Sequence, residues 1–195
     1  ALPIFSSITE DTVFLNIKEQ KLCSAEPSVD LTLFQAIPKQ DKLEHIIQKS
    51  VELGVSKIVP VLTRRCVSRP DKKDFEKKLV RLNKIALEAA KQSGRGIIPT
   101  VEPMISFDEA IIQMKEYDCP AMLYEEGGIR FSELNTQEKK SFALFVGSEG
   151  GFDESEAEAA REAGIASIWL GERILRCETA PLTAISILMF ITKNL

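Results

Sequence analysis

Apolar blocks and amphipathic stretches alternate along most of the chain, which predicts strands and helices in alternation. Short apolar runs such as 141–146 (SFALFV) have the composition of strands that are buried on both faces. The predicted strands are 31–37, 57–62, 97–101, 120–124, 141–146 and 166–170, and the predicted helices lie within 41–54, 75–89, 106–117, 153–164 and 178–195. This order predicts an α/β domain with a parallel sheet.

Polar residues and glycines mark the ends of several predicted helices. Asp41 precedes Glu44 by three residues, which is the spacing of a capping box at a helix N-terminus. The same spacing occurs in the pairs Ser106 with Glu109 and Asp153 with Glu156. Gly54 and Gly164 follow the apolar faces of their helices and are expected to end them.

The first thirty residues differ from this pattern. Two short strands within residues 4–22 are joined by Glu10-Asp11, which predicts a hairpin. A lone hairpin is marginally stable in water, so we expect it to pack on something else. The expected domain plan is a partial β domain at 1–23, a linker at 24–30 and the α/β body at 31–195.

Composition excludes several classes of protein. Of the 195 residues, 44% are hydrophobic and 28% are charged, as in ordinary soluble globular proteins. No apolar run approaches the roughly 18 residues of a membrane span, so a cytoplasmic protein with no membrane partner is expected. The four cysteines lack CxxC spacing and His45 is the sole histidine, which favours free thiols and no metal.

Residues 64–95 are strongly basic. They hold eleven Lys and Arg residues and four Asp and Glu residues, a net charge of +7 in a chain of net charge −4. This asymmetry suggests a basic face that binds a polyanion. A solvated face of the 75–89 helix explains the same charges.

The loop 147–151 (GSEGG) joins a predicted strand to a predicted helix. Such loops lie at the carboxyl ends of parallel strands, where glycine lets a ligand approach the backbone. The loop lacks the lysine of a phosphate-binding P-loop and the G-x-G-x-x-G fingerprint of dinucleotide sites. Its carboxylate, Glu149, favours a neutral or cationic ligand, although a glycine turn that simply closes the unit is also possible.

The loop 170–176 (LGERILR) follows the next predicted strand and precedes an apolar helix. Charged residues between a buried strand and a buried helix are costly unless they are paired or used. The loop is therefore either an internal salt-bridge network or a second part of a site.

These two loops carry a family resemblance. The segments 145–152 (FVGSEGGF) and 170–180 (LGERILRCETA) resemble the paired signature of the RsmE family, SPOUT-superfamily methyltransferases that act on N3 of a uridine in 16S ribosomal RNA. Ser148 is one departure, because the family usually has proline there. The segment 88–95 (EAAKQSGR) is also similar to one that the family carries.

The resemblance implies more about the fold than the pattern alone. It implies a SPOUT-type sheet with helices on both faces and a deep trefoil knot at about 144–195, an exception to the rule that chains do not thread. It also implies a homodimer, and it identifies residues 1–23 as the remnant of a PUA-like β-barrel. The chain starts at Ala1 without a methionine, so we expect a fragment or a domain that is partly missing from the sequence.

The resemblance further implies that S-adenosylmethionine binds in the knot as methyl donor and that 16S ribosomal RNA or the small ribosomal subunit is the partner. The cofactor-binding residues it implies are Leu123, Glu125, Gly147, Glu149, Gly150, Gly151, Leu170, Gly171, Ile174 and Leu175. Phosphate contacts are expected from the basic segment, and our candidates for RNA binding are Arg64, Arg65, Arg69 and Arg95.

Methylation at N3 requires removal of a proton whose pKa lies well above 7. With no histidine placed for this task, Arg176 is our candidate for stabilising the uridine anion. Glu178 is either the general base or, more in keeping with the ordinary pKa of a carboxylate, the partner that orients the arginine.

Two alternatives remain at this point. A related SPOUT enzyme that methylates ribose 2′-hydroxyls or another base would share the cofactor loops. A non-catalytic RNA-binding assembly factor would share the fold.

Overall fold

The computed structural model describes residues 2–195. In chain order the elements are β1 (Leu2–Ile8), β2 (Val13–Glu19), β3 (Asp30–Ala36), α1 (Lys42–Glu52), β4 (Lys57–Leu62), α2 (Lys72–Gln92), β5 (Thr100–Val101), β6 (Ile105–Ser106), α3 (Phe107–Met114), β7 (Cys119–Leu123), β8 (Ser141–Val146), α4 (Glu154–Glu162), β9 (Ala166–Ile168) and α5 (Thr179–Ile191), with a 3-10 turn at Phe131–Glu133.

Strands β3 to β9 form one sheet of seven strands in which every pairing is parallel. The strand order is β5-β4-β3-β8-β7-β9, and β6 pairs with β4 beyond this path. The central pair, β3 and β8, runs in register from Asp30 opposite Ser141 to Gln35 opposite Val146. The predicted α/β domain with a parallel sheet is confirmed.

Helices cover both faces of this sheet, because successive residues of the central strands point to opposite sides. Leu33 and Leu144 belong to the core under α1, α2 and α5, whereas Phe34 and Phe145 belong to the core under α3 and α4. The double burial accounts for the continuous apolar runs of these strands.

The predicted N-terminal hairpin is present as β1 paired antiparallel with β2. The two strands form a sheet of their own, and all side chains of residues 3–19 are exposed. Apolar side chains such as Phe5 and Phe14 are therefore more than half exposed, at 60% and 51%. Within the described residues the packing partner that we expected for this hairpin is not seen.

Two local predictions were wrong. The capping box at Asp41 does not form, because the backbone N–H of Glu44 donates to the Asp41 carbonyl at 3.1 Å and the Glu44 carboxylate pairs with Arg81 at 2.8 Å. The strand predicted at 97–101 shortens to Thr100–Val101, because the backbone N–H groups of Gly96 and Ile97 donate to the Glu26 carboxylate instead of to a neighbouring strand.

The capping boxes predicted at Ser106 and Asp153 are both present. The four cysteines all carry free thiols in the described chain. Over residues 2–195, no group of three or more His, Cys, Asp and Glu side chains is placed to hold a metal ion. None of the helices in this range is long and apolar enough to cross a membrane.

Candidate functional site

A pocket of about 530 Å³ lies at the carboxyl ends of β7, β8 and β9. Its walls are the loops that follow these three strands, and α5 closes it with Cys177, just before the helix, and Ala180. The volume is in the range of small-molecule sites, and the edge of the sheet is the one where ligands bind in open α/β folds.

The loop between β8 and α4 forms a tight turn at this pocket. The backbone N–H of Gly151 donates to the carbonyl of Ser148 at 3.0 Å, and Gly151 has φ +64°, a conformation that suits glycine. Directly after it, Asp153 and Glu156 form the capping box that starts α4. The glycines thus let the chain reverse within a few residues and leave bare backbone beside the pocket.

The same loop is held from behind by β3 and by the end of β4. The amide nitrogen of the Gln35 side chain donates to the carbonyls of Gly147 at 3.2 Å and Ala36 at 3.0 Å. On the other side, the Ser148 hydroxyl donates to the carbonyl of Arg65 at 3.4 Å. These contacts fix the loop without any ligand.

The pocket combines an apolar floor with acidic walls. Leu123, Val146 and Ile168 supply apolar lining at the ends of the strands, whereas Glu125, Glu126 and Glu172 supply three carboxylates against the one guanidinium of Arg173. Within the described residues these three carboxylates form no ion pair with the protein. The walls therefore suit a ligand with cationic or hydroxyl groups and disfavour a phosphate.

One of these carboxylates is held in place by a neighbouring phenol. The Tyr124 hydroxyl donates to Glu126 at 2.9 Å. Burial, together with this hydrogen bond to a carboxylate, raises the pKa of Tyr124 above its usual value. The phenol therefore stays protonated and acts as a donor at neutral pH.

Most of the predicted cofactor-binding residues lie together in this pocket. The residues that line it are Leu123, Glu125, Gly147, Gly151, Leu170, Gly171 and Ile174. Sequence reasoning missed other lining residues, among them Phe152, Trp169 and Cys177. Phe152 directly follows the glycine loop and Trp169 lies near the carboxyl end of the predicted strand 166–170, which are the signals that could have identified these two.

Three predicted cofactor-binding residues, Glu149, Gly150 and Leu175, do not line the pocket. The Glu149 carboxylate turns toward α1, where it accepts from the backbone N–H of Lys39 at 3.1 Å. The α-carbon of Gly150 faces Arg65, since an added Cβ would lie 3.0 Å from the Cβ of that arginine. In this conformation Glu149 and Gly150 therefore face other parts of the protein and not the pocket.

The two predicted catalytic residues flank the pocket but do not line it. Arg176 is exposed, and within the described chain its side chain has no hydrogen bond or ion pair. Its carbonyl accepts from the N–H groups of Thr179 at 2.8 Å and Ala180 at 2.9 Å, which fixes the backbone where α5 begins. The guanidinium is thus free to meet a substrate.

We expected Glu178 to orient Arg176, but it does not. Its carboxylate instead lies 3.1 Å from Nζ of Lys42 and accepts from the Cys177 thiol at 3.2 Å. The hydrogen bond from Cys177, together with that from Lys42, lowers the pKa of Glu178 below its usual value. A carboxylate with a lowered pKa is a poor general base for a uridine proton.

Two of the four predicted RNA-binding arginines, Arg64 and Arg65, contact the glycine loop or the residues directly after it. Arg64 and Arg65 are 67% and 42% exposed and approach Asp153 at 3.5 Å and 3.8 Å. Arg69 is exposed too, and its Nη1 donates to the carbonyl of Thr63 at 3.0 Å. These guanidinium groups form a basic edge next to the pocket.

Arg95 differs from the other three. Its side chain is 3% exposed, pairs with Glu26 at 2.8 Å and donates to the carbonyls of Val51 and Val55. The prediction that Arg95 contacts RNA was wrong, because the protein itself uses its donors.

Comparison with known proteins agrees with this geometry. A family model described as RNA methyltransferase domain matches residues 25–189. The ribosomal RNA small subunit methyltransferase E of Bacillus subtilis is 36% identical over 97% of this chain and 77% of its own length. The protein of that name from Rickettsia conorii is 33% identical over 93% of this chain and 72% of its own length.

Solved structures show the same relationship. The ribosomal RNA small subunit methyltransferase E of Neisseria gonorrhoeae, bound to S-adenosyl methionine, matches with a TM-score of 0.87 and 32% identity over 97% of this chain and 77% of that chain. Similar sequence, similar fold and a pocket formed by the two signature loops thus agree. The chain belongs to the RNA methyltransferase family, and within it to the ribosomal RNA small subunit methyltransferase E proteins.

Proposed function

We propose that this protein transfers a methyl group from S-adenosylmethionine to N3 of a uridine in 16S ribosomal RNA. The observation that carries the proposal is the pocket at the ends of β7, β8 and β9, which gathers seven of the ten predicted cofactor-binding residues. The similar protein from Neisseria gonorrhoeae has S-adenosyl methionine bound.

The residues of the pocket fit this methyl donor. S-adenosylmethionine carries an ammonium and a sulfonium, which suit the carboxylates of Glu125, Glu126 and Glu172, and no phosphate. Its one carboxylate suits the guanidinium of Arg173. The apolar lining of Leu123, Val146 and Ile168 suits an adenine ring. When bound, the cofactor supplies an electrophilic methyl group.

The side chains near the pocket then have distinct tasks. The exposed guanidinium of Arg176 stabilises the negative charge that develops on the uracil ring. Glu178, held by Lys42 and Cys177, stays ionised and shapes the start of α5. Because Glu178 is a poor general base and does not line the pocket, we infer that the N3 proton passes to solvent and that positioning of the two substrates supplies most of the rate enhancement.

Arg64, Arg65 and Arg69 would contact RNA phosphates beside the pocket, with an affinity that falls as salt concentration rises. The target base must be unpaired or flipped, because N3 takes part in base pairing. With ribosomal RNA in the small subunit as its substrate, the enzyme would act in the cytoplasm.

Finer features of the fold belong to the same proposal. We infer a trefoil knot at about 144–195, supported by the return of α5 onto β8 and α1. A homodimer is supported by the exposed Phe190 on α5, whose side chain is 71% exposed. We also infer that residues 1–23 belong to a PUA-like β domain and that 24–30 link it to the body at 31–195, in line with the separate sheet of β1 and β2.

Calorimetric titration with S-adenosylmethionine, S-adenosylhomocysteine and ATP tests the cofactor. We expect the first two to bind and ATP not to bind, because its phosphates would face the acidic walls. A folded protein that binds neither S-adenosyl compound contradicts the proposal.

Methylation of purified small ribosomal subunits and of naked 16S RNA, followed by nucleoside analysis, tests the reaction. We expect 3-methyluridine. A 2′-O-methylated nucleoside or another methylated base would favour a different SPOUT activity. Cofactor binding without methylation of any RNA would favour a non-catalytic assembly factor.

A further inference from the structure

One ammonium group connects the two loops that line the pocket. Lys42, in the first turn of α1, places its Nζ 3.1 Å from Oε1 of Glu149 and 3.1 Å from Oε2 of Glu178. The Sγ of Cys177 lies 3.7 Å from the same nitrogen. Glu149 belongs to the glycine loop after β8, whereas Cys177 and Glu178 precede α5.

The charges at this cluster require a cation. Two carboxylates that face one another repel, and the ammonium between them removes that repulsion. Hydrogen bonds to Glu149 and then to Glu178 raise the pKa of Lys42 above its usual value, so the cation persists throughout the physiological range. Glu149 has a second anchor in the backbone N–H of Lys39, which fixes its side of the cluster to the N-terminal end of α1.

The cluster reaches the pocket through Cys177. This thiol lines the pocket wall and donates to Glu178 at 3.2 Å. Burial, together with its hydrogen bond to Glu178, raises the pKa of Cys177 to about 12, so the group stays a neutral donor. Arg176 is the preceding residue, and its position follows that of Cys177.

We propose that Lys42 is a positioning residue for methyl transfer, because its ammonium fixes the glycine loop and the Arg176 segment at the distance that the bound methyl donor and the uridine require. This inference rests on the proposed function. The lysine does not touch the pocket and acts through Glu149, Cys177 and Glu178.

The solvent exposure of the Lys42, Glu149 and Glu178 side chains indicates that their ion pairs serve catalysis more than stability. The side chains of Lys42, Glu149 and Glu178 are 26%, 25% and 26% exposed. Ion pairs with that much access to solvent add little to stability. A small misplacement of reacting groups, in contrast, lowers a rate by roughly a hundredfold. Removal of the ammonium should therefore affect catalysis far more than folding.

The variant Lys42→Met tests the proposal in the complete protein, with Lys39→Met as the matched control. Lys39 contacts Glu149 through its backbone N–H alone, which the control retains. For Lys42→Met we expect kcat to fall roughly a hundredfold, with the KM for RNA within about threefold of wild type. Lys39→Met should keep kcat within about twofold of wild type. Lys42→Arg retains a cation, so its kcat should be at least about tenfold higher than that of Lys42→Met.

A coupling measurement adds a readout that a structural role would not change. Glu149→Gln should lower kcat about tenfold in the wild-type background and less than about twofold in the Lys42→Met background, because Lys42 carries the connection. Equal effects in both backgrounds overturn the proposal, as does a folded Lys42→Met enzyme with kcat within about twofold of wild type.

If Lys42→Met does not fold, the double variant Lys42→Met/Glu149→Gln decides, because it removes one of the two carboxylates that repel. A kcat of this folded double variant near that of wild type overturns the proposal, and a loss of about a hundredfold supports it. Failure of wild type itself to bind S-adenosylmethionine would instead contradict the proposed function, so the two failures are distinguishable.

Discussion

The buried guanidinium of Arg95 forms an ion pair with the partly buried carboxylate of Glu26, which fastens the segment before β3 to the end of α2. Nη2 of the arginine lies 2.8 Å from Oε2 of the glutamate, and Nε lies 3.4 Å from Oε1. The same carboxylate accepts from the backbone N–H groups of Gly96 and Ile97. A basic residue of the segment 64–95 thus serves the architecture of the protein.

We expect Arg95→Met to lower the free energy of unfolding by about 3 kcal/mol, because the buried guanidinium no longer pairs with Glu26 or donates to the carbonyls of Val51 and Val55. The salt dependence of RNA binding should not change. Arg64→Met is the matched control, since Arg64 is 67% exposed and should affect stability by less than about 0.5 kcal/mol. Chemical denaturation and RNA titrations at several salt concentrations measure both effects.

The opposite result for Arg95→Met would contradict this structural role and show that Arg95 contacts RNA. Unchanged stability and a salt slope reduced by about one would show that its guanidinium meets a phosphate.

Gly151→Ala should weaken the binding of S-adenosylmethionine by about tenfold, or 1.4 kcal/mol. An added Cβ at this position would overlap a carboxylate oxygen of Glu125 and displace it within the pocket. Gly151 also has φ +64°, so alanine brings backbone strain of about 1 kcal/mol.

Gly164→Ala is the control for that strain. Gly164 has φ +81°, and a Cβ there meets no described atom within 4 Å. If both variants lose similar stability but only Gly151→Ala loses affinity for S-adenosylmethionine in calorimetry, the loss of affinity is assigned to Glu125. Equal affinities in both variants would exclude Glu125 from the cofactor site.

Arg176→Gln should lower kcat by roughly a hundredfold or more while the Kd for S-adenosylmethionine stays near that of wild type. The reason is that Arg176 is exposed and does not line the pocket. Single-turnover methylation and calorimetry separate the two quantities. A large loss of cofactor affinity with an unchanged rate of methyl transfer would place Arg176 in cofactor binding instead.

Acid should destabilise the protein partly through Asp118. Hydrogen bonds from the backbone N–H groups of Lys140 and Ser141 hold the pKa of this carboxyl below its usual value. A lowered folded-state pKa contributes stability that is present above the unfolded value, about 3.9, and is lost as pH falls through the folded value.

Thermal melting between pH 7 and pH 3 measures this contribution. We expect Asp118→Asn to lower Tm at neutral pH and to reduce the further drop below about pH 4. Asp11→Asn in the exposed hairpin turn should give the wild-type profile. An Asp118→Asn protein whose Tm falls with acid as steeply as that of wild type would contradict the assignment.

Local patterns were enough to predict most of the fold. The double burial of 141–146 appeared as an uninterrupted apolar run, and the capping box at Asp153 and Glu156 is formed entirely within one turn. At Asp41 the backbone N–H of Glu44 donates to the Asp41 carbonyl instead of to its side chain, and a distant arginine, Arg81, pairs with the Glu44 carboxylate. Sequence spacing cannot reveal such a competitor.

The candidate site divides in the same way. Gly147 and Gly151 could be predicted because a turn at the end of a strand fixes their place. The direction of Glu149 could not, since its partner Lys42 is far along the chain and looks like any surface lysine of an amphipathic helix. Arg95 was misjudged for the same reason, because its burial depends on Glu26.

The long separations within the Lys42 cluster bear on how the protein is made. Lys42 meets Cys177 across 135 residues, and Gln35 meets Gly147 across 112. Contacts of this separation form slowly, because a long loop must close before they stabilise anything. During synthesis the pocket therefore cannot be assembled until α5 has left the ribosome, so a nascent chain that lacks this helix has no methyl-donor site.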